Sequence, residues 1–405
     1  MTTSPAGFPN PFRPGAGHAP PYLAGRETER AEFRRLLEQT AVFENLVLTG
    51  LRGVGKTVLL ETLRPIAGEQ GWRWAGADLS EAASATESNL AVRLCADLAL
   101  ITGGLSRRRP AHGTVGFAAG PAEIEEPLSY ERLLAIYDGT PGLAVDKFKG
   151  VIRTAWEIIA ASDAARGVVF AYDEAQNLAD HPDRSEFPLS LLLDAFQSLQ
   201  RQGLPVLLVL SGLPTLFPQM VEARTFAERM FRVCFLERLS EAECVDAIRK
   251  PIEDAACPLR LDRESVGQIV RMSGGYPYFV QFICREVFDA FLLRIEQGQT
   301  PTVPVREIEA KLDTDFFAGR WSRLTDRQRD LLRVAGSREE PDSEFAVREL
   351  AERSKQVLEK PFSPSHIHQM LGTLAARGLV FRNRYGRYSF AVPLFGGFIR
   401  RQEEA

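Results

Sequence analysis

Cysteine is scarce and scattered. The five in the chain (Cys95, Cys234, Cys244, Cys257, Cys284) form no C-x-x-C pair. That spacing argues against a disulfide framework or a thiolate zinc site and fits a reducing compartment. Long apolar runs are missing too: no stretch approaches the ~18 to 20 residues a membrane span needs. Met1 to Pro21 lacks the apolar block of a secretory signal. A cytoplasmic protein without a membrane partner is therefore expected. Charge of one sign does not dominate, because 49 Lys and Arg face 53 Asp and Glu, for a net charge of -4. A globally basic nucleic-acid coat is excluded, while a local basic face is not. There is no long internal repeat and no coiled-coil heptad.

What is there suits two or three globular domains: 405 residues, 45% hydrophobic and 25% charged. Met1 to Pro21, rich in Pro, Gly and Ala, reads as a poorly ordered or extended arm. From Leu46 the pattern is strand, glycine loop, helix. Leu46 to Thr49 is a short apolar run of the kind buried in a parallel sheet. A helix starts at Val58, and Pro65 is expected to end or kink it. Trp72 to Ala77, Val168 to Tyr172, Val206 to Leu210 and Arg232 to Leu236 are further strands. Leu90 to Ile101, Phe148 to Ala161 and Leu189 to Gln202 are helices. Such alternation predicts an α/β fold with a parallel sheet covered on both faces. Residues 103–128, with five glycines and Pro110 and Pro121, read as a mobile loop or insertion.

Gly50-Leu51-Arg52-Gly53-Val54-Gly55-Lys56-Thr57 fits G-x-x-x-x-G-K-[ST]. Triphosphate oxygens need several backbone N–H groups pointing inward, and glycines let the chain curl that closely. The helix that follows, through Val58, adds its positive N-terminal end. Lys56 is suited to the β and γ phosphates and the Thr57 hydroxyl to Mg²⁺. Val168-Val169-Phe170-Ala171-Tyr172-Asp173-Glu174 is an apolar strand ending in two acids. At that edge Asp173 can hold the Mg²⁺ water shell, and Glu174 can polarise a water for attack on the γ-phosphate. Guanine-binding switches carry an N-K-x-D tetrad, and none occurs here. ATP and Mg²⁺ are the expected cofactors.

These segments resemble the AAA+ superfamily of P-loop ATPases of the ASCE type. Within it they look like the branch of origin-recognition initiators, archaeal-type ATPases and STAND switches. Tyr22-Leu23-Ala24-Gly25-Arg26-Glu27 is similar to the segment that lines the adenine pocket in relatives, which implicates Leu23 and Arg26. Asp173-Glu174-Ala175-Gln176 looks like the D-E-A-Q form of the second motif. Ser211 stands where relatives carry the polar sensor-1 residue. Arg229 precedes a strand as the family's arginine finger does, and so implies self-assembly, with Arg224 and Arg232 as competitors. Gly274-Gly275-Tyr276-Pro277 resembles the G-x-P element at the sensor-2 position. Many motors have an Arg there. Its lack suits a slow switch in which Pro277 couples nucleotide state to a helical lid.

Leu324 to Arg401 reads as three helices and a two-stranded ribbon, an order that resembles a winged helix-turn-helix. Thr325 caps the first helix, and Ser363-Pro364 opens the third. Between Pro361 and Gln402 there are six Arg and no Asp or Glu. Arg382, Arg384 and Arg387 lie on the wing, where a duplex backbone would attract them. The third helix offers His366, His368, Gln369 and Thr373, which does not support base-specific readout. The expected organisation is an arm (1–21), a nucleotide-binding domain (22–238), a helical lid (239–320) and a winged-helix domain (321–405). The expected function is slow ATP hydrolysis controlling a DNA-associated regulator or loader. The alternative is a signalling switch whose winged helix packs on the core and whose partner is a protein.

Overall fold

The computed structural model describes residues 8–15, 17–110, 123–162, 165–257, 259–383 and 386–404. The chain divides into two compact units. One comprises residues 27–49 and 59–235, the other residues 1–26, 50–58 and 236–405.

The first unit is built on a parallel sheet. Its strands are β1 (Asn45–Thr49), β2 (Trp72–Ala75), β5 (Gly167–Tyr172), β6 (Val206–Gly212) and β7 (Phe231–Phe235), in the order β2-β5-β6-β1-β7. β1, β5 and β6 are buried along their whole lengths. Continuous apolar runs are what a strand covered on both faces requires. The helix Pro188–Arg201 packs Phe196 edge-on against Phe170 of β5. The one polar residue of β1 that is wholly buried at its start, Asn45, is fully bonded. Its Nδ2 donates to Met230 O (3.3 Å) and Gln200 Oε1 (3.2 Å), and its Oδ1 accepts from Leu208 N (2.8 Å) and Gln200 Nε2 (2.7 Å).

Two expectations are corrected here. The helix Lys56–Glu69 continues past Pro65 and does not end there. Pro65 and Glu61, whose carbonyl loses its helical donor, are both exposed, so water takes that bond. Leu59, Leu60, Leu63 and Ile66 are buried on the other face and hold the helix together. Second, residues 103–128 are not simply a loop. β3 (Ser106–Pro110) and β4 (Glu123–Pro127) pair antiparallel, from Ser106↔Pro127 to Pro110↔Glu123. The glycines that suggested a loop fall outside both strands, at 103–104 and 113–120. Residues 111–122 lie outside the described residues.

The second unit is helical. Ser240 opens the helix Glu241–Asp254 with a capping box to Glu243, and Asp262 caps Arg263–Ser273. Pro277–Glu296 is the longest helix of this unit. Asp326–Gly336 starts at Thr325 with a second capping box, and Pro364–Ala376 starts at Ser363. Val347–Val357 lies between them. The ribbon is β8 (Val380–Arg382) paired with β9 (Tyr388–Phe390), and Phe345 bridges to Tyr388 on its other side. A fourth helix, Phe395–Glu404, follows. Gly396 and Gly397 had hidden it from the sequence. Gly396 is required because a Cβ there would stand 2.7 Å from Pro341 backbone atoms. Residues 8–15 have no regular structure, yet Phe12 is 3% exposed and packs on Phe288.

Candidate nucleotide site

The loop Gly50–Thr57 follows the C-terminal end of β1 and runs into the helix Lys56–Glu69. Gly53 (φ 77°) and Gly55 (φ 90°) are left-handed, a conformation that costs other residues roughly 1–2 kcal/mol. A Cβ on Gly55 would meet nothing within 4 Å, so that side of the loop is open. A Cβ on Gly50 would strike Leu236 O at 2.6 Å, and one on Gly53 would touch Tyr278 Cβ at 3.4 Å. The loop is thus closed behind and open in front, as a phosphate cradle needs to be. Lys56 Nζ donates to Gly50 O (3.1 Å) and Leu51 O (2.9 Å), which holds the ammonium over the loop.

Neighbouring segments brace this loop. Arg26, itself left-handed (φ 76°), donates from Nη2 to Val54 O (2.9 Å) and Glu237 O (2.7 Å). It therefore ties the Leu23–Arg26 segment to the loop rather than standing free as a base contact. Pro277 occupies the first turn of its helix, behind the left-handed pair Gly274 and Gly275. The next residue, Tyr278, donates its backbone N–H to Gly53 O at 3.2 Å. The segment read as a sensor-2 element thus touches the phosphate loop directly. Arg285 pairs with Glu286 and leans on the Phe282 ring.

The acids follow the C-terminal end of β5. Asp173 is 3% exposed, and its Oδ1 accepts from Glu174 N at 2.8 Å. Glu174 is exposed and left-handed (φ 52°, ψ 31°). Gln176 donates from Nε2 to the Glu174 carboxylate and accepts Leu213 N–H at 3.0 Å, linking the acid to the end of β6. Asp78, just beyond β2, bridges to Asp173 along the backbone. Burial, then the charges of Asp173 and Glu174, raise its carboxyl above the ordinary value of 3.8. Ser211 lies in β6, wholly buried, and its Oγ has no partner among the described residues. Ala171↔Val209 and Tyr172↔Leu210 pair in register, so Ser211 is the next step of the ladder beside Asp173. Behind the acids, fully buried Tyr172 faces Asp97, which pairs with Arg93. Asp78, Tyr278 and Asp97 were not singled out from the sequence. They come from segments far apart in the chain, and none belongs to a contiguous signature.

The AAA ATPase domain family matches residues 22–221. The chain carries an AAA ATPase domain. A second match, over residues 314–399, is to a domain of unknown function, DUF8462. No curated protein matches the chain in sequence. Among solved structures, a Walker-type ATPase of Pyrococcus abyssi is similar with a TM-score of 0.58 at 14% identity, covering 93% of this chain and 96% of that one. The Aeropyrum pernix ORC2 protein, in ADPNP–ADP complexes, is similar with a TM-score of 0.52 at 13% identity, covering 96% and 98%. At such identities the likeness shows the fold: an AAA+ parallel sheet followed by a helical C-terminal region.

Arg229, just beyond the matched residues, sits on the short helix Ala227–Met230, immediately before the edge strand β7. It is exposed, and its side chain makes no ion pair or hydrogen bond among the described residues. Both competitors are engaged. Arg224 pairs with Asp194 through Nε (2.9 Å) and Nη2 (2.8 Å), and Arg232 pairs with Glu32 and Glu44. Among the described residues no helix is long and apolar enough to cross a membrane.

The C-terminal arginines are less available than their number suggests. Arg387 donates to Glu344 O (3.0 Å) and pairs with Glu344 and Glu349. Arg377 donates to Arg323 O (3.3 Å), Arg400 to Glu339 O (3.2 Å), and Arg401 pairs with Asp313. Arg382 is exposed beside Gly386. Arg384 lies outside the described residues. The helix Pro364–Ala376 buries Ile367, Met370, Leu371 and Leu374 and exposes Ser365, His368, Gln369, Gly372 and Thr373.

Proposed function

We propose that the protein is a slow Mg-ATPase whose nucleotide state governs association with duplex DNA. The phosphate loop carries this reading: left-handed Gly53 and Gly55, an open front at Gly55, and Lys56 held over it. Residues Gly50–Val58 would hold the phosphates, with Leu23 and Arg26 on the adenine side. Mg²⁺ would be held by Thr57 and Asp173 and would neutralise charge on the transferring phosphoryl group. Glu174 accepts a proton from the attacking water, and Gln176 keeps that carboxylate in place. Ser211 offers a free hydroxyl for the hydrolytic site, and Arg229 completes the site of a neighbouring copy. Pro277 stands where a motor would place a second arginine, which favours slow turnover. Lys56→Ala tests the core of this reading by calorimetry: unchanged Mg-ATP affinity removes it.

The DNA arm of the proposal is supported by the exposed polar face of Pro364–Ala376 and by exposed Arg382. Fluorescence anisotropy with labelled duplex, with and without ATP and at two salt concentrations, tests it. Arg382→Ala should flatten the salt dependence by about 0.9 logarithmic units, the loss of one phosphate contact. A second reading is a switch whose C-terminal domain meets a protein instead. The pairing of Arg387 with Glu344 and Glu349 favours it, because these carboxylates already neutralise half of the described wing. No salt-dependent DNA binding with either nucleotide would establish that second reading over the first.

A further inference from the structure

The N-terminal arm is tied along one helix. Asn10 Nδ2 donates to Arg285 O (3.0 Å) and Asp289 Oδ1 (2.8 Å). Phe12 is buried against Phe288, with ring centroids 6.4 Å apart. Arg13 N donates to Gln281 Oε1 at 3.3 Å. Gln281, Arg285, Phe288 and Asp289 are spaced by four, three and one, which places them on one stripe of Pro277–Glu296. Asn10 meets Arg285 and Asp289 while Arg13 meets Gln281, so the arm runs antiparallel to the helix toward its start. Beyond Arg13 the chain turns, with His18 N donating to Gly15 O at 3.4 Å. The turn ends on the phosphate loop: a Cβ on Gly17 would stand 3.3 Å from Thr57 Cγ2. The start of the same helix is bonded to the loop through Tyr278 N and Gly53 O.

We propose that the described residues 8–15 and 17–18 act as a strap beside the phosphate loop, and that its release from Pro277–Glu296 gates nucleotide entry and exit. The proposal rests on the nucleotide reading of the loop. Gly53 is held by the helix, and half-buried Thr57 is approached by the strap that the helix carries. Helix and strap therefore behave as one piece around the loop. Gly17 is fixed as glycine by its left-handed φ of 73° and by the closeness of Thr57. A strap differs from an ordinary ligand contact in its kinetics. Loosening it speeds exit and entry alike, whereas losing a contact speeds exit alone.

The test is a stopped-flow measurement on the full chain with a fluorescent N-methylanthraniloyl ADP. Association is followed directly, and dissociation by a chase with unlabelled ADP. Asn10→Ala and Phe12→Ala should raise both rates about tenfold while Kd moves less than about threefold. Phe12→Leu, which keeps an apolar filler, should stay near wild type. Asn10→Ala removes only hydrogen bonds, so it carries the test if Phe12→Ala fails to fold. Wild-type rates in a folded Asn10→Ala variant, or a rise in dissociation alone, would overturn the strap. Failure of the wild-type chain to bind the analogue, as Lys56→Ala is expected to fail, would instead remove the nucleotide reading beneath it.

Discussion

Glu174 combines two properties that a pair of substitutions separates. It is a non-glycine residue in the left-handed region, at φ 52° and ψ 31°. That conformation costs an L-residue roughly 1–2 kcal/mol, while a glycine in its place costs roughly 0.5–1 kcal/mol in chain entropy. The hydrogen bond from Gln176 is exposed and contributes little. Glu174→Gly should therefore stabilise its unit by about 1 kcal/mol, a rise in Tm on the order of 2–4 °C. The same change removes the carboxylate that takes a proton from water, so hydrolysis should fall at least ~100-fold. Glu174→Gln keeps the strain and the shape. It should leave Tm within about 1 °C of wild type and match the catalytic loss. Thermal unfolding without nucleotide and phosphate release with saturating Mg-ATP measure the two effects. A destabilised Glu174→Gly, or full turnover in Glu174→Gln, refutes the reasoning.

Arg229→Ala should leave ATP binding intact and lower hydrolysis only at protein concentrations where copies assemble; activity per subunit that is independent of concentration and mutation removes the finger assignment. Asp78 has a folded-state pKa raised by burial first and by Asp173 and Glu174 next. The folded protein then holds its proton more tightly than the unfolded chain. Stability therefore falls as pH rises from the ordinary value of 3.8 through the higher folded value, and the loss is complete above it. Asp78→Asn should raise the metal-free Tm at pH 7 and have little effect near pH 3.5, and equal shifts at both pH values would exclude the electrostatic cause.

Local chemistry decided what was legible in the sequence. The phosphate loop could be read outright because Gly50 to Thr57 is contiguous and each residue type has a fixed purpose. The sheet could be read because β1, β5 and β6 are buried on both faces and so are unbroken apolar runs. Helix starts at Ser240, Thr325 and Ser363 carry side-chain caps that propensity rules recognise. Misreadings arose where tertiary contacts outweighed local preference. Pro65 sits inside a helix because its solvent face tolerates a lost bond. Gly396 sits inside another because Pro341 leaves no room for a Cβ. The arm reads as poorly ordered or extended by composition, and only folding brings Phe12 to Phe288, some 276 positions along the chain. Asp78 illustrates the same limit at the site, because only folding brings it beside Asp173.

Two buried polar residues of the sheet differ in how their polar groups are satisfied. Asn45 satisfies its whole amide with partners on three segments. Ser211, equally buried, leaves its hydroxyl without a partner, at a cost of about 1–3 kcal/mol for such a group. The Ser211 hydroxyl is one of several buried polar groups without a partner among the described residues, Tyr172 Oη and Gln219 Oε1 included, so its position decides what it means. It lies in β6, on the strand beside the left-handed Glu174 and the three carboxylates that follow β2 and β5. Departures from local rules that cluster at one place mark a functional site. Ser211→Ala should then behave unlike an ordinary core substitution. Removing an unpartnered hydroxyl leaves no cavity larger than one oxygen and relieves the desolvation cost, so stability should be unchanged or rise by about 1 kcal/mol. Hydrolysis should nevertheless fall roughly tenfold, because the free hydroxyl is then missing from the site. Denaturant unfolding and single-turnover phosphate release on one preparation give both numbers. A variant that is destabilised yet hydrolyses normally would make Ser211 an ordinary strand residue and break the link between strain and catalysis.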